Sequence, residues 1–142
     1  MFGFVERKTE LRRFRETMLL MARKNGKSTL LAALALYLTI ADREGAAEVY
    51  AVATKKEQAE IAFNQAVNMR RHSPEISVLA SKRRSDIYIP ATASFFKALS
   101  SQSKSMDGLN VHAAIIDELH AIRNPELYQV IKDGTTGRRQ RL

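Results

Sequence analysis

Cysteine and tryptophan are absent from this 142-residue chain, which holds only three prolines and six glycines. Without cysteine there is no disulfide framework and no thiolate metal site, so an apolar core must hold the fold. The absence also fits a reducing compartment. Aromatic residues are sparse, at 7%. None is interleaved with basic residues as a base-stacking surface would need. The longest apolar stretch, residues 30–40, follows a charged loop and is too short to span a bilayer. No targeting signal stands out, and a membrane role is not expected.

Acid is also in short supply, with 15 Asp and Glu against 23 Lys and Arg and a formal charge of +8. The basic residues cluster as Arg12, Arg13 and Arg15, Arg70 and Arg71, Lys82 to Arg84, and Arg138, Arg139 and Arg141. Such surfaces attract phosphate backbones, although a basic run is also an ordinary solvated face. With 45% hydrophobic residues, the chain is long enough for one sizeable core. There is no internal repeat and no Gly- or Pro-rich linker, and residues 1–142 read as a single domain.

Chemistry concentrates in two places. The first is Met18-Leu19-Leu20-Met21-Ala22-Arg23-Lys24-Asn25-Gly26-Lys27-Ser28-Thr29, followed by the apolar run. It reads as a strand over 16–22, a turn, and a helix over 27–41. At such a turn the backbone N–H groups and the helix N-terminus form an anion seat. In a phosphate loop the Gly admits the nucleotide, the Lys reaches the β/γ-phosphates and the Ser hydroxyl binds Mg²⁺. The first Gly of that pattern would fall at position 21, which is Met. Taken alone, Gly-Lys-Ser is also a common ordinary turn. The second place is Val111–Ile116 followed by Asp117 and Glu118, an apolar strand ending in two carboxylates. Asp117 could face a Mg²⁺ hydration shell while Glu118 polarises water, or Asp117 could cap a helix near Leu119. Their chain order favours a nucleoside-triphosphate hydrolase site.

These motifs resemble the ATPase domain of the large terminase subunit, the DNA-packaging motor of tailed bacteriophages. Arg23-Lys24-Asn25-Gly26-Lys27-Ser28 is similar to that family's phosphate loop, which often lacks the first Gly. Residues 53–59, Ala-Thr-Lys-Lys-Glu-Gln-Ala, resemble the segment after its second strand, and residues 106–110 with 117–121 resemble its hydrolysis region. The resemblance implies an α/β P-loop NTPase of the additional-strand type, a parallel sheet flanked by helices and incomplete here. It implies ATP and Mg²⁺ as cofactors. Arg23, Lys24, Asn25, Gly26, Lys27, Ser28 and Thr29 would bind nucleotide, and Ser28 and Asp117 the metal. Glu118 would activate water, and Arg23 would contact the γ-phosphate. Implied partners are double-stranded DNA without sequence preference and, in the full-length family, the small terminase subunit and portal. The implied location is the cytoplasm of the bacterial host.

The resemblance also implies missing parts. The adenine-recognising segment before Phe2, the Thr-rich coupling strand and the nuclease domain are not in this sequence; Thr135-Thr136-Gly137 precedes the place of that strand. The expectation is a partial domain, weak or inactive in hydrolysis. Its sheet must leave a gap, pair 16–22 directly with 111–116, or borrow a strand, and an exposed edge favours self-association. Another P-loop translocase of the helicase-like kind, or a non-enzymatic prophage remnant, are the alternative readings.

The remaining pattern is α/β. A buried strand is expected over 47–53. Thr54 to Glu57 form a capping-box pattern opening a helix to about Arg71, which His72-Ser73-Pro74 ends. Short strands are expected over 76–80, 86–89 and 94–99, with a basic turn over 81–85. Residues 100–110 read as a polar loop in which Ser101 to Ser105 are solvated, and a last helix starts at Asn124-Pro125. His72, His112 and His120 have no metal-ligand spacing, and the five Met are core filler.

Overall fold

The computed structural model describes residues 4–9, 11–22, 24–42, 44–100, 108–119 and 125–138. In chain order the elements are α1 (Lys27–Ile40), β1 (Glu48–Ala53), α2 (Lys56–His72), α3 (Pro74–Leu79), β2 (Ser81–Lys82), β3 (Asp86–Ile89), β4 (Ser94–Ser100), β5 (Val111–Ile116) and α4 (Pro125–Gly134). The strands form one sheet in the order β2-β3-β4-β1-β5. β1 lies parallel to both β4 and β5, whereas β3 runs antiparallel to β4 and β2 antiparallel to β3.

β1 explains why the sheet needs helices on both sides. Val49 to Ala53 are all buried, the near-continuous apolar pattern of a parallel strand covered on both faces. On one face Ala32, Ala35 and Leu36 of α1 and Ala59, Ala62, Phe63 and Ala66 of α2 pack onto Val49, Ala51, Phe96 and Ala113. The alanines let helix backbones approach the sheet closely. On the other face Leu127 and Ile131 of α4 meet Tyr50, Val52, Leu99 and Val111. Although α1 is apolar almost all round, it is buried on one side only, with Leu30 and Tyr37 exposed.

Four expectations are corrected. Residues 16–22 form no strand or helix, and Leu20 is 87% exposed. Because α1 and α2 share a face, right-handed crossovers put a strand entering α1 beyond β5. Among the described residues nothing pairs with that outer edge of β5, so 16–22 lacks the cross-strand hydrogen bonds that would make it a strand. Of the three arrangements considered for the sheet, direct pairing of 16–22 with 111–116 is not seen. Residues 76–79 are helical: Ser73 accepts the Ile76 N–H and Pro74 opens α3, start signals that outweigh the β-branched content. The capping box does not form either. Lys55 rather than Thr54 is the N-cap of α2, with no side-chain cap, and the Thr54 hydroxyl donates to Gln58. The expected basic turn narrows to 83–85, since Ser81 and Lys82 pair with Tyr88 and Ile87.

The strand starts are tied together far from the phosphate loop. Asp42, just past α1, accepts from buried Arg12 and lies 2.6 Å from Nε2 of fully buried His112. After α4, Arg138 donates to the carbonyls of Gly45 (2.8 Å), Ala46 and Asn110 (3.0 Å). Arg12 and Arg138 are therefore structural members of their basic clusters.

Gly134 ends α4 against the start of β5. A Cβ there would lie 2.9 Å from both the Leu109 carbonyl and Cγ2 of Val111. Helix propensity alone favours Ala over Gly by up to ~1 kcal/mol. Overpacking costs about 1–3 kcal/mol and wins here, because one contact is backbone. Gly134→Ala is expected to lower stability in urea unfolding; a gain would show that α4 moves freely over β5.

Candidate active site

The backbone enters α1 through two left-handed residues, Lys24 at φ 65° and Gly26 at φ 76°. Alternation of hand around Asn25 turns successive N–H groups into a concave donor array. Gly26 is the N-cap, no side chain caps the helix, and its first turn carries no acid. The uncapped donors and the positive end of the helix dipole form a seat for an anion. Lys24, Asn25, Gly26 and Thr29 are exposed, whereas Lys27 and Ser28 are half-buried. Arg23 lies outside the described residues.

β5 brings the carboxylates to this loop. The Asp117 N–H donates to the Val52 carbonyl at 3.0 Å, carrying the β1–β5 ladder past the end of β5 and fixing the root of the side chain. Asp117 Oδ1 lies 2.6 Å from Lys27 Nζ and accepts the Glu118 N–H at 2.9 Å. Lys27 is 33% and Asp117 18% exposed, so the pair contributes on the order of 1 kcal/mol or less. It still sets where both charges sit. Residues 120–124, where a helix capped by Asp117 would run, lie outside the described residues.

Glu118 has φ 51°, a left-handed conformation that costs about 1–3 kcal/mol at a non-glycine residue. Its Oε2 accepts from Gln58 Nε2 at 2.9 Å, and Gln58 Oε1 accepts from the Thr54 hydroxyl at 2.9 Å. This chain of bonds runs from the end of β1 across the first turn of α2 to the carboxylate. Gln58 and Thr54 are site residues that sequence reading missed. Both lie in the 53–59 segment, and their i, i+4 spacing was visible, but spacing does not say where an amide points.

The residues suit a nucleotide with its metal. Mg²⁺ takes one or two protein oxygens and keeps waters and phosphates for the rest. The Asp117 carboxylate and the Ser28 hydroxyl, next to Lys27, could supply those oxygens. Among the described residues no three His, Asp or Glu gather as a metal cluster. His112 is bound to Asp42, and His72 Nδ1 lies 2.8 Å from the Asn68 carbonyl. His120 and Ser101 to Ser105 lie outside the described residues.

The family model for the terminase large subunit, ATPase domain, matches residues 1–142. The chain belongs to that family. It is 34% identical over 110 residues to the large terminase subunit of Enterobacteria phage HK97, covering 75% of this chain and 22% of the relative. The crystal structure of the HK97 large terminase superposes with a TM-score of 0.74 at 30% identity, over 82% of this chain and 26% of that one. The ATPase domain of the Thermus phage P74-26 large terminase shares the fold at TM-score 0.64 and 21% identity, over 79% of this chain and 51% of that one. The large terminase of the thermophilic phage D6E does so at 0.66 and 10%, over 85% and 31%. The α/β P-loop fold is thus that of terminase ATPase domains. The chain spans about a quarter of the HK97 subunit.

The Gln58–Glu118 bond makes a pH-dependent prediction. In Gln58→Glu two carboxylates compete for one site, so one keeps its proton above the ordinary carboxylate range. A pKa raised in the folded state means stability present at low pH and lost as pH rises through it. Gln58→Glu should match the parent chain near pH 4 and be about 1–3 kcal/mol less stable at pH 7.5. Urea unfolding at both pH values reads this, and a difference independent of pH would refute the contact.

Proposed function

We propose that this terminase ATPase-family chain binds Mg²⁺-ATP at the Gly26–Asp117 site and belongs to a motor that translocates viral DNA. The observation that carries the reading is the 2.6 Å approach of Lys27 Nζ to Asp117, with Glu118 beside it. Backbone donors of 24–29 would hold the β- and γ-phosphates, and Lys27 would leave Asp117 to neutralise them. Ser28 and Asp117 would hold the magnesium, which supplies charge neutralisation on the phosphates when bound. Glu118, released by Gln58, would orient and deprotonate the attacking water, and Arg23 would stabilise charge on the γ-phosphate. Partners in this reading are duplex DNA and, through the longer family chain, the small terminase subunit and portal. The host cytoplasm is the setting. No helix among the described residues is long and apolar enough to cross a membrane.

Turnover by residues 1–142 alone is expected to be slow. Among the described residues the segment leading into the phosphate loop joins no strand, and nothing pairs with the outer edge of β5. Lys27, in the first turn of α1, thus has no strand ladder before it, and Glu118 is held by a side-chain hydrogen bond. A misplacement of ~1 Å can cost ~100-fold in rate.

Binding and turnover are read separately. Mg²⁺-ATP at a hundredfold excess over Kd should stabilise the chain by about 2.7 kcal/mol, a rise in Tm of roughly 8 °C. Lys27→Ala should abolish the shift. No shift in the parent chain, or an equal shift in Lys27→Ala, would end the nucleotide reading. Equal Lys27-dependent turnover by this chain and by one extended through a further strand would overturn the slow-turnover expectation.

A further inference from the structure

We propose that the cavity between α2, β4 and the turn before β3 is a phosphodiester pocket through which the chain grips the backbone of duplex DNA. The proposal rests on the DNA-motor reading above and names the surface that would do the gripping.

The structure divides the basic residues by what their charges already do. Arg70 Nε donates to the Ala80 carbonyl, and Arg12 and Arg138 bind within the fold as described. In the 82–84 cluster, Arg83 makes two 2.7 Å hydrogen bonds to the Asp86 carboxylate and lies 3.9 Å over the Tyr88 ring. Lys82 Nζ donates to the carbonyls of Arg83 and Arg84 and sits 5.3 Å from the Phe63 ring centre. Both are occupied in shaping the turn.

What that turn presents is Arg84. With Lys56 and Lys97 it lines a cavity of about 180 Å³, floored by Phe63 and Ala98 and edged by Ser85 and Glu60. Among the described residues neither Arg84 nor Lys97 has an ion-pair partner. Lys56 is 3.6 Å from Glu60, and the nearby Asp86 is taken by Arg83. Three cations therefore face one carboxylate, leaving a net charge of two to be neutralised. That is the chemistry of a phosphate-binding hollow, with the Ser85 hydroxyl as a neutral donor. Phe63, the aromatic residue in the lining, is buried as the floor and offers no exposed face on which a base could stack. Contacts limited to phosphates give binding without sequence preference. The Arg83–Asp86 clamp fixes the turn beforehand, so Arg84 loses less freedom on binding.

The test uses the full 142-residue chain and fluorescence anisotropy with two labelled duplexes of unrelated sequence, over a NaCl series. In Arg84→Glu/Lys97→Glu, affinity should fall about tenfold or more for both duplexes, and the slope of log K against log salt should shrink by about 2. The charge-matched control Lys8→Glu/Arg71→Glu, exposed and outside the pocket, should change both quantities far less. A control that weakens binding as much as the pocket variant overturns the proposal, as does an unchanged slope in the pocket variant. Failure of the parent chain to bind duplex at low salt overturns it too. Inorganic phosphate displacing duplex more strongly than chloride at equal ionic strength, from the parent and not the pocket variant, would make the occupant a free anion and overturn DNA as the ligand. The Mg²⁺-ATP shift in Tm, measured on the same variants, separates failure of this surface from failure of the nucleotide reading and reports that they fold.

Discussion

Strand β1 is hydrogen-bonded along both edges and buried on both faces, and the rest of the molecule is arranged around that constraint. Its backbone carbonyl at Val52 receives the Asp117 N–H, so the position of the first carboxylate follows from the register of the β1–β5 ladder. Its C-terminal end supplies Thr54, which orients Gln58 and through it Glu118. The aspartate is placed by backbone, the glutamate by side chains. A backbone-placed group is stiff, whereas one held by a neutral hydrogen bond worth about 1 kcal/mol can be released.

The loop that faces these carboxylates is held differently. α1 is anchored by its packing on the sheet, but the described residues entering it are mostly exposed and form no strand. The approach of Lys27 to Asp117 is therefore a link between the phosphate loop and the sheet. An ion pair that half sees solvent is a weak link, screened by salt and open to competition from phosphate oxygens. Strain at Glu118 adds to a site kept away from its most stable arrangement.

How much of this was legible in the sequence depends on the range of the forces involved. The helix after Gly26, the buried strand 48–53, the strand 111–116 and its two carboxylates were readable, because local pattern and pairing agree there. Residues 16–22 carry an equally good strand pattern, yet a strand exists only with a neighbour, and pattern cannot say whether its slot is filled. Residues 76–79 misled through their Ile and Val, although Ser73-Pro74 was the stronger, shorter-range signal. Gln58 was invisible as a site residue because its partner is sixty positions away. The basic clusters were read as interchangeable charge. Only side-chain geometry separates Arg83, spent on Asp86, from its neighbour Arg84.

The Arg138 clasp has a consequence for the order in which the chain assembles. It closes on carbonyls of residues 45 and 46, more than ninety positions upstream, and β1 must wait for β4 and β5 to complete its ladders. Parallel pairings of such separation raise the contact order and slow folding. A chain emerging from the ribosome presents the apolar strand 48–53 long before its partners exist, and domains in this position depend on protection from aggregation. The antiparallel hairpin around residues 83–85, by contrast, can close locally and early. The last part of the fold to be secured is then the end of the sheet where Arg138 and His112 sit, opposite the phosphate loop.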